Sequence, residues 1–238
     1  MVAEDLVVVE LREDGRLRKI MKSKYTFTDK DKEQVKEAVA SLERESCGEI
    51  VPYFVQSSDQ YPEASWYMAS LMSAIGLISV ALLSYFWALP ISLNLLEWLL
   101  IILALMVIGY LIPIVFPLSK RWLISKDVQL HRVEQRASLA FLNEKVFETE
   151  ERIGILLFVS RLEHQVIVLG DKGINEKVKP EEWKEVVGII TESIKAGAIA
   201  DGLSKAILSC KEMLLKHGFV RKKSDYNELD DSLRIKDQ

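Results

Sequence analysis

One stretch constrains this chain more than any other. Residues 64–119, 56 in a row, contain a single charged side chain, Glu97. A spanning helix needs about 20 apolar residues to cross a hydrocarbon core about 30 Å thick. The stretch is too long for one span and the right length for two, at about 66–87 and 95–116. Pro90 and Asn94 lie between them and supply turn chemistry. Trp66, Tyr67, Tyr85, Trp87, Trp98, Tyr110 and Trp122 fall near the ends of the two runs, where an aromatic ring can sit half in water. A soluble core helix of that length keeps charge on one face, so the expectation is a transmembrane hairpin over 64–119.

Lysine and arginine set the expected orientation. The inter-span turn has none, whereas Lys120, Arg121, Lys126, Arg132 and Arg136 follow the second span. The positive-inside rule then puts the turn outside and both termini in the cytoplasm of a cell with an inner (plasma) membrane. The first residues carry acids where a secretory leader would carry bases, so no leader is expected. The formal net charge of −4 argues against a nucleic-acid partner. Cys47 and Cys210 are far apart and read as small buried apolar residues. The expected partners are the lipid bilayer and another membrane protein or a second copy of this chain.

The flanking sequence patterns as one α/β domain. Residues 6–11 are strand-like and precede an Asp14-Gly15 turn; residues 1–24 read as an appended ribbon or arm. Thr28 begins a helix with Asp31 three residues on, and Val35, Ala38, Val39 and Leu42 form its stripe. Residues 50–55 read as a strand, with Pro52 suggesting a sheet edge. After the hairpin, 127–147 reads as a helix. The run 153–159 reads as a strand covered on both faces, and 165–169 as its antiparallel partner. Two helices follow, one from Pro180 to a stop at Gly197, the other over 201–217 with a stop at Gly218. The tail, 220–238, is polar and expected to be mobile. Neither half makes a core alone. The predicted fold is therefore an α/β/α sandwich on a small mixed sheet, split into 25–62 and 127–219 by the two-helix hairpin.

The chain resembles a known family along this series. The residues are Cys47-Gly48-Glu49-Ile50-Val51, Ser57-Ser58-Asp59-Gln60-Tyr61, Arg136-Ala137-Ser138-Leu139-Ala140-Phe141, Arg152-Ile153-Gly154-Ile155 and Val166-Ile167-Val168-Leu169-Gly170-Asp171-Lys172-Gly173. They are similar to the TPM domain, and to its bacterial branch of membrane proteins with a hairpin inserted in the domain. Asn227-Glu228-Leu229 also fits that branch. The resemblance implies an α/β/α sandwich. It further implies either an auxiliary role in membrane complexes and envelope maintenance, or a weak, calcium-associated phosphatase activity.

Residues that could do chemistry are few. Asp171, between glycines after a strand, could give one ligand to calcium; calcium takes 6–8 oxygens, and Gly-Asp-Lys-Gly is also an ordinary turn. Glu49 and Asp59 could join a site or simply sit in a solvated strand end and loop. The tail beginning Asp225-Tyr226-Asn227 starts like an EF-hand loop but has no glycine at its sixth position. His131, His164 and His217 lack zinc spacing. No nucleophile elbow, P-loop or dinucleotide fingerprint is present. Glu97 reads as a marker of the outer interface. The expectation is a non-enzymatic membrane-anchored module, with the phosphatase as the alternative.

Overall fold

The computed structural model describes residues 7–10, 26–86, 94–222 and 228–236. The Asp14-Gly15 turn, most of the inter-span turn and the start of the EF-hand-like tail lie outside them. The chain forms two compact units, one of residues 1–59 and 130–238, the other of residues 60–129.

The first unit is a mixed α/β sandwich. Its sheet runs β1-β4-β3-β2-β5, with β1 at Val7–Glu10, β2 at Glu49–Val55, β3 at Gly154–Ser160, β4 at Gln165–Gly170 and β5 at Arg234–Lys236. Strands β2 and β3 are parallel over their full seven residues, and β3 and β4 form an antiparallel hairpin. All seven residues of β2 and of β3 are buried. Their near-continuous apolar runs are what a strand covered on both faces requires.

Helices cover the two faces. On one lie α1 (Asp29–Glu45), α7 (Pro180–Lys195) and α8 (Ile199–Lys216), packing Leu42, Trp183, Ile190 and Leu203 against Ile50, Phe54, Ile155 and Leu157. On the other lies α5 (Lys126–Asn143), whose Val133, Ala137, Ala140 and Phe141 meet Val51, Tyr53, Leu156 and Phe158. Successive strand residues alternate between the two cores, as the period of two demands. Thr28 starts α1 with a capping box: its hydroxyl accepts from Asp31 N at 3.2 Å, and its own N–H donates to Asp31 Oδ2 at 2.9 Å. Gly197 and Gly218, both at φ +80°, end α7 and α8 in the left-handed conformation that suits glycine.

Three expectations need correction. Residues 7–10 are no appendage, because they pair antiparallel with β4 as an outer strand of the sheet. The tail is not simply mobile, because residues 234–236 form β5, parallel to β2. Consequently β2 is not an edge strand. Pro52 has no N–H to give, and pairing with β5 starts one residue later, at Tyr53. Three ladder residues in a polar stretch are too few to produce a strand pattern in the sequence.

The second unit is the apolar insert. Helices α2 (Pro62–Tyr85) and α3 (Leu95–Val115) are long and apolar enough to cross a membrane, and only 6% and 11% of their most apolar windows are buried within the protein. They pack on each other at Gly109, where an added Cβ would lie 2.8 Å from both Ala69 Cα and Met68 O. Close backbone approach at small residues is how apolar helices associate without a hydrophobic driving force between them. Trp66 and Tyr110 meet edge to face across the pair, at 5.2 Å. Asn94 and Glu97 form a capping box at the start of α3, so the one charge of the block accepts the Asn94 N–H while Asn94 Oδ1 accepts that of Glu97. The base of the insert holds itself closed: Lys120, in the short helix α4 (Leu118–Leu123), donates to Gln60 O at 2.8 Å. Gln129 Nε2 also donates, to Arg121 O and Ile124 O.

Candidate functional site

In open α/β sheets, ligand sites form beyond the carboxyl ends of the parallel strands. Here that end holds a polar cluster built on β2 and β3. The loop after β2 carries Ser57, Ser58 and Asp59; β3 ends at Ser160, and Glu163 lies in the turn to β4. Ser58 Oγ donates to Ser160 Oγ at 2.9 Å, and Ser160 in turn donates to Glu163 Oε2. Glu163 is only 2% exposed, yet Ser58 N donates to its Oε1 at 2.9 Å and Ser57 Oγ lies 3.4 Å from the same atom. The turn that places it is tight, with His164 at φ 56°. Asp59 is ion-paired with Arg132 of α5, and Arg161 donates to Gln56 Oε1 at 2.9 Å. This is a buried carboxylate with a donor on each oxygen, the Ser160 hydroxyl on one and the Ser58 amide on the other, while the Ser57 hydroxyl donates to Asp59 O at 2.6 Å. Its geometry pins the β2 loop onto the β3–β4 turn.

The other residues singled out in the sequence lie at the opposite end of the sheet. Asp171 follows β4 and caps the single-turn helix α6 (Lys172–Asn175), accepting from Lys172 N at 2.8 Å. Its Oδ2 lies 2.7 Å from Arg152 Nε, and Arg152 Nη2 donates to Oδ1 at 3.2 Å. The guanidinium therefore lies against both carboxylate oxygens, while the hydrogen bonds themselves fall on Oδ1. Glu49 opens β2 and accepts from Glu228 N at 3.3 Å. Glu49 and Asp171 thus share one end of the sheet but stand on either side of β3, while Asp59 is at the far end. Among the described residues no group of three or more His, Cys, Asp or Glu side chains is placed to hold a metal ion. The histidines do not gather: His131 faces Gln135 at 3.0 Å, and His217 pairs with Glu182 at 3.0 Å. Burial pushes the Cys210 thiol up to about 12, which suits an inert core residue.

Two buried carboxylates escaped the sequence reading. Glu163 sits in a four-residue turn that reads as solvated, and no local pattern marks it as buried. Glu43 did leave a signal. It lies four residues after Val39 and eight after Val35, on the apolar stripe of α1, and it is 5% exposed. Its carboxyl is raised to about 10, first by burial and then by the neighbouring charges of Glu49 and Asp231.

No protein-family model and no curated protein matches the chain. A solved structure does. The NMR structure of the BA42 protein from the psychrophilic bacterium Bizionia argentinensis aligns over 90% of this chain and 97% of its own, with a TM-score of 0.54 and 18% identity. At that identity the likeness is one of fold. It agrees with the α/β sandwich described above and carries no activity with it.

Proposed function

We propose that this is an integral membrane protein that presents a TPM-like α/β/α domain on the cytoplasmic side of a bacterial inner membrane. There it acts as a non-catalytic auxiliary or maintenance factor of a membrane complex. One observation carries most of this reading. Three of the acids with chemical promise are committed to holding the fold: Glu163 to Ser160 and Ser58, Asp59 to Arg132, and Asp171 to Arg152. A catalytic site keeps at least one such group available to substrate. The position of the apolar hairpin between β2 and α5 supports a role tied to the bilayer, because the domain cannot fold without its two halves leaving and rejoining the insert. The lysines and arginines that follow α3, against none in the inter-span turn, support the cytoplasmic placement.

Cross-linking in intact membranes, followed by purification in mild detergent, tests the auxiliary role. A stoichiometric membrane-protein partner or a homo-oligomer is expected, and recovery of a lone monomer from cross-linked membranes would reject it. A reporter fused after Gln238 that is active only in the cytoplasm tests the orientation. The metal-dependent phosphatase reading requires Asp171 to leave Arg152. Phosphatase activity that needs calcium or magnesium and disappears in Asp171→Ala would favour it over the auxiliary role.

A further inference from the structure

Residues 228–236 lie along β2, but only their last three join its ladder. Tyr53, Phe54 and Val55 pair with Arg234, Ile235 and Lys236. Ahead of the ladder the segment is held in other ways. Leu229 packs into the core on the α5 side, and Leu233 is buried in the core on the α1 side. Glu228 N donates to Glu49 Oε1 at 3.3 Å, and the Glu228 carboxylate accepts from Glu150 N at 3.1 Å. Arg234 reaches Glu144 at 2.9 Å. The segment also brings Asp231 against Glu43, whose carboxyl is within hydrogen-bond reach of both Asp231 and Glu49.

That meeting of three carboxyls is unusual in its surroundings. Glu43 and Glu49 are 5% and 7% exposed. Backbone N–H groups of the segment reach the Glu49 carboxyl, but its Oε2 is sealed from solvent without a hydrogen-bond partner, so a proton on Glu43 is what would serve it. The charged groups around the cluster come from each packed element. From β2 there is Glu49, and from the segment itself Glu228, Asp230 and Asp231. From the stretch after α8 there is Arg221, whose Nη1 donates to the Glu43 main-chain O at 2.8 Å, and Lys222, paired with Glu151. From α1 there are Lys36, which acts on Asp230, and Arg44, whose Nε donates to Ala40 O.

We propose that residues 228–236 form a proton-linked strap: the segment docks on β2 with uptake of a proton at the buried Glu43–Glu49 pair, against which it sets Asp231, and it loosens as pH rises. The sign follows from where the proton is held. With the strap docked, burial and the charges of Glu49 and Asp231 hold the Glu43 carboxyl far above the ordinary carboxylate value. With the strap away, Asp231 leaves and water enters, so the carboxyl falls back toward that value. Between the two values docking consumes up to one proton. The docked fraction then weakens by up to about tenfold per pH unit, which includes the range of a living cytoplasm. Release would uncover the β2 edge at residues 53–55 and the seats of Leu229 and Leu233. An open strand edge is a ready place for another strand to pair.

Hydrogen exchange of the full chain in detergent micelles tests this, with each rate divided by the intrinsic rate at the same pH. Protection over 228–236 is expected to fall by up to about 100-fold from pH 6 to pH 8, while β3 and β4 stay level. Glu43→Gln keeps a donor where the acid had one and should hold the strap docked at both pH values. Asp231→Asn, on the strap itself, should dock more tightly than wild type at pH 8. Level wild-type protection over 228–236 would overturn the proposal. So would a Glu43→Gln profile with the wild-type slope, or an Asp231→Asn strap no tighter than wild type.

Discussion

The same substitution, glycine to alanine, should have opposite signs at two positions of the α/β unit. Gly154 begins β3, opposite Glu49 of β2, and its carbonyl accepts from Asp171 N at 2.9 Å. A Cβ there would lie 1.9 Å from Val146 O, 2.8 Å from Val146 Cγ1 and 2.9 Å from Val146 C. Carbon in good contact prefers roughly 3.5 Å, so strand and turn must part by about 1 Å or more. Neither can yield cheaply, because the tightest contact and one other are backbone and Val146 is fully buried. Overpacking of this kind costs about 1–3 kcal/mol where a side chain can move; with backbone on both sides we expect about 3 kcal/mol or more. For a unit of this size that lowers Tm by roughly 6–12 °C. Gly188 lies in the middle of α7, and a Cβ there meets nothing within 4 Å. Alanine there removes the backbone-entropy cost of a helical glycine and should stabilise by about 0.5–1 kcal/mol. Urea unfolding of the full chain in detergent, followed by far-UV circular dichroism, measures both. A Gly154→Ala protein within about 1 kcal/mol of wild type would refute the reasoning, because it would mean that the β3–turn contact is not packed as described.

Three further outcomes follow from the same structure. Phe158 is fully buried and stacks on Tyr53 at 5.5 Å, so Phe158→Ala should cost about 3–5 kcal/mol in the same unfolding assay. Gly109→Leu should push α2 and α3 apart by about 1–2 Å, read as a longer spin-label distance between cysteines placed at Leu77 and Leu103 on their exposed surfaces. The Glu182 carboxyl is lowered to about 2, chiefly by its hydrogen bond to His217 and then by that to Lys216. A depressed carboxyl stabilises above its unfolded value of about 4.3, and that contribution is lost as pH falls toward 2. Glu182→Gln should therefore be less stable than wild type at neutral pH and converge with it in acid; a constant gap down to pH 2 would contradict this assignment.

The fold was readable where apolar spacing is long and regular. Helices α1, α7 and α8, the two apolar helices and the β3–β4 hairpin all announce themselves through period or continuous burial, which are consequences of packing on one face or two. What could not be read was set by partners distant in sequence. β5 has three residues, and only its neighbour 181 positions away makes it a strand. The acids read as candidates, Asp171, Glu49 and Asp59, turn out to be placed by Arg152, Glu228 N and Arg132, none of which a local motif reveals. Glu43 is the instructive case. Its position on the α1 stripe was plain, and a charge on an apolar stripe is a conflict between pattern and chemistry that points to a buried proton.

Splitting a domain with an insert ordinarily costs closure entropy, and the structure shows how this chain limits that cost. Gln60 and Lys120 are 60 residues apart. Held only by a flexible loop of that length, the ends of β2 and α5 would come together at an entropic cost on the order of 3–4 kcal/mol. Here the insert brings its own ends together. α2 and α3 form an antiparallel pair that packs through Gly109 and Ala69, and the Lys120 ammonium reaches the Gln60 carbonyl at 2.8 Å. Burial lowers the Lys120 side chain from the ordinary lysine value, so the ammonium works best when that carbonyl is present to receive it. Once the hairpin has formed, the two halves of the domain are no longer separated by a long loop but by a closed base. The order of events this favours is hairpin first and sheet second, since β2 can find β3 only after the insert has doubled back.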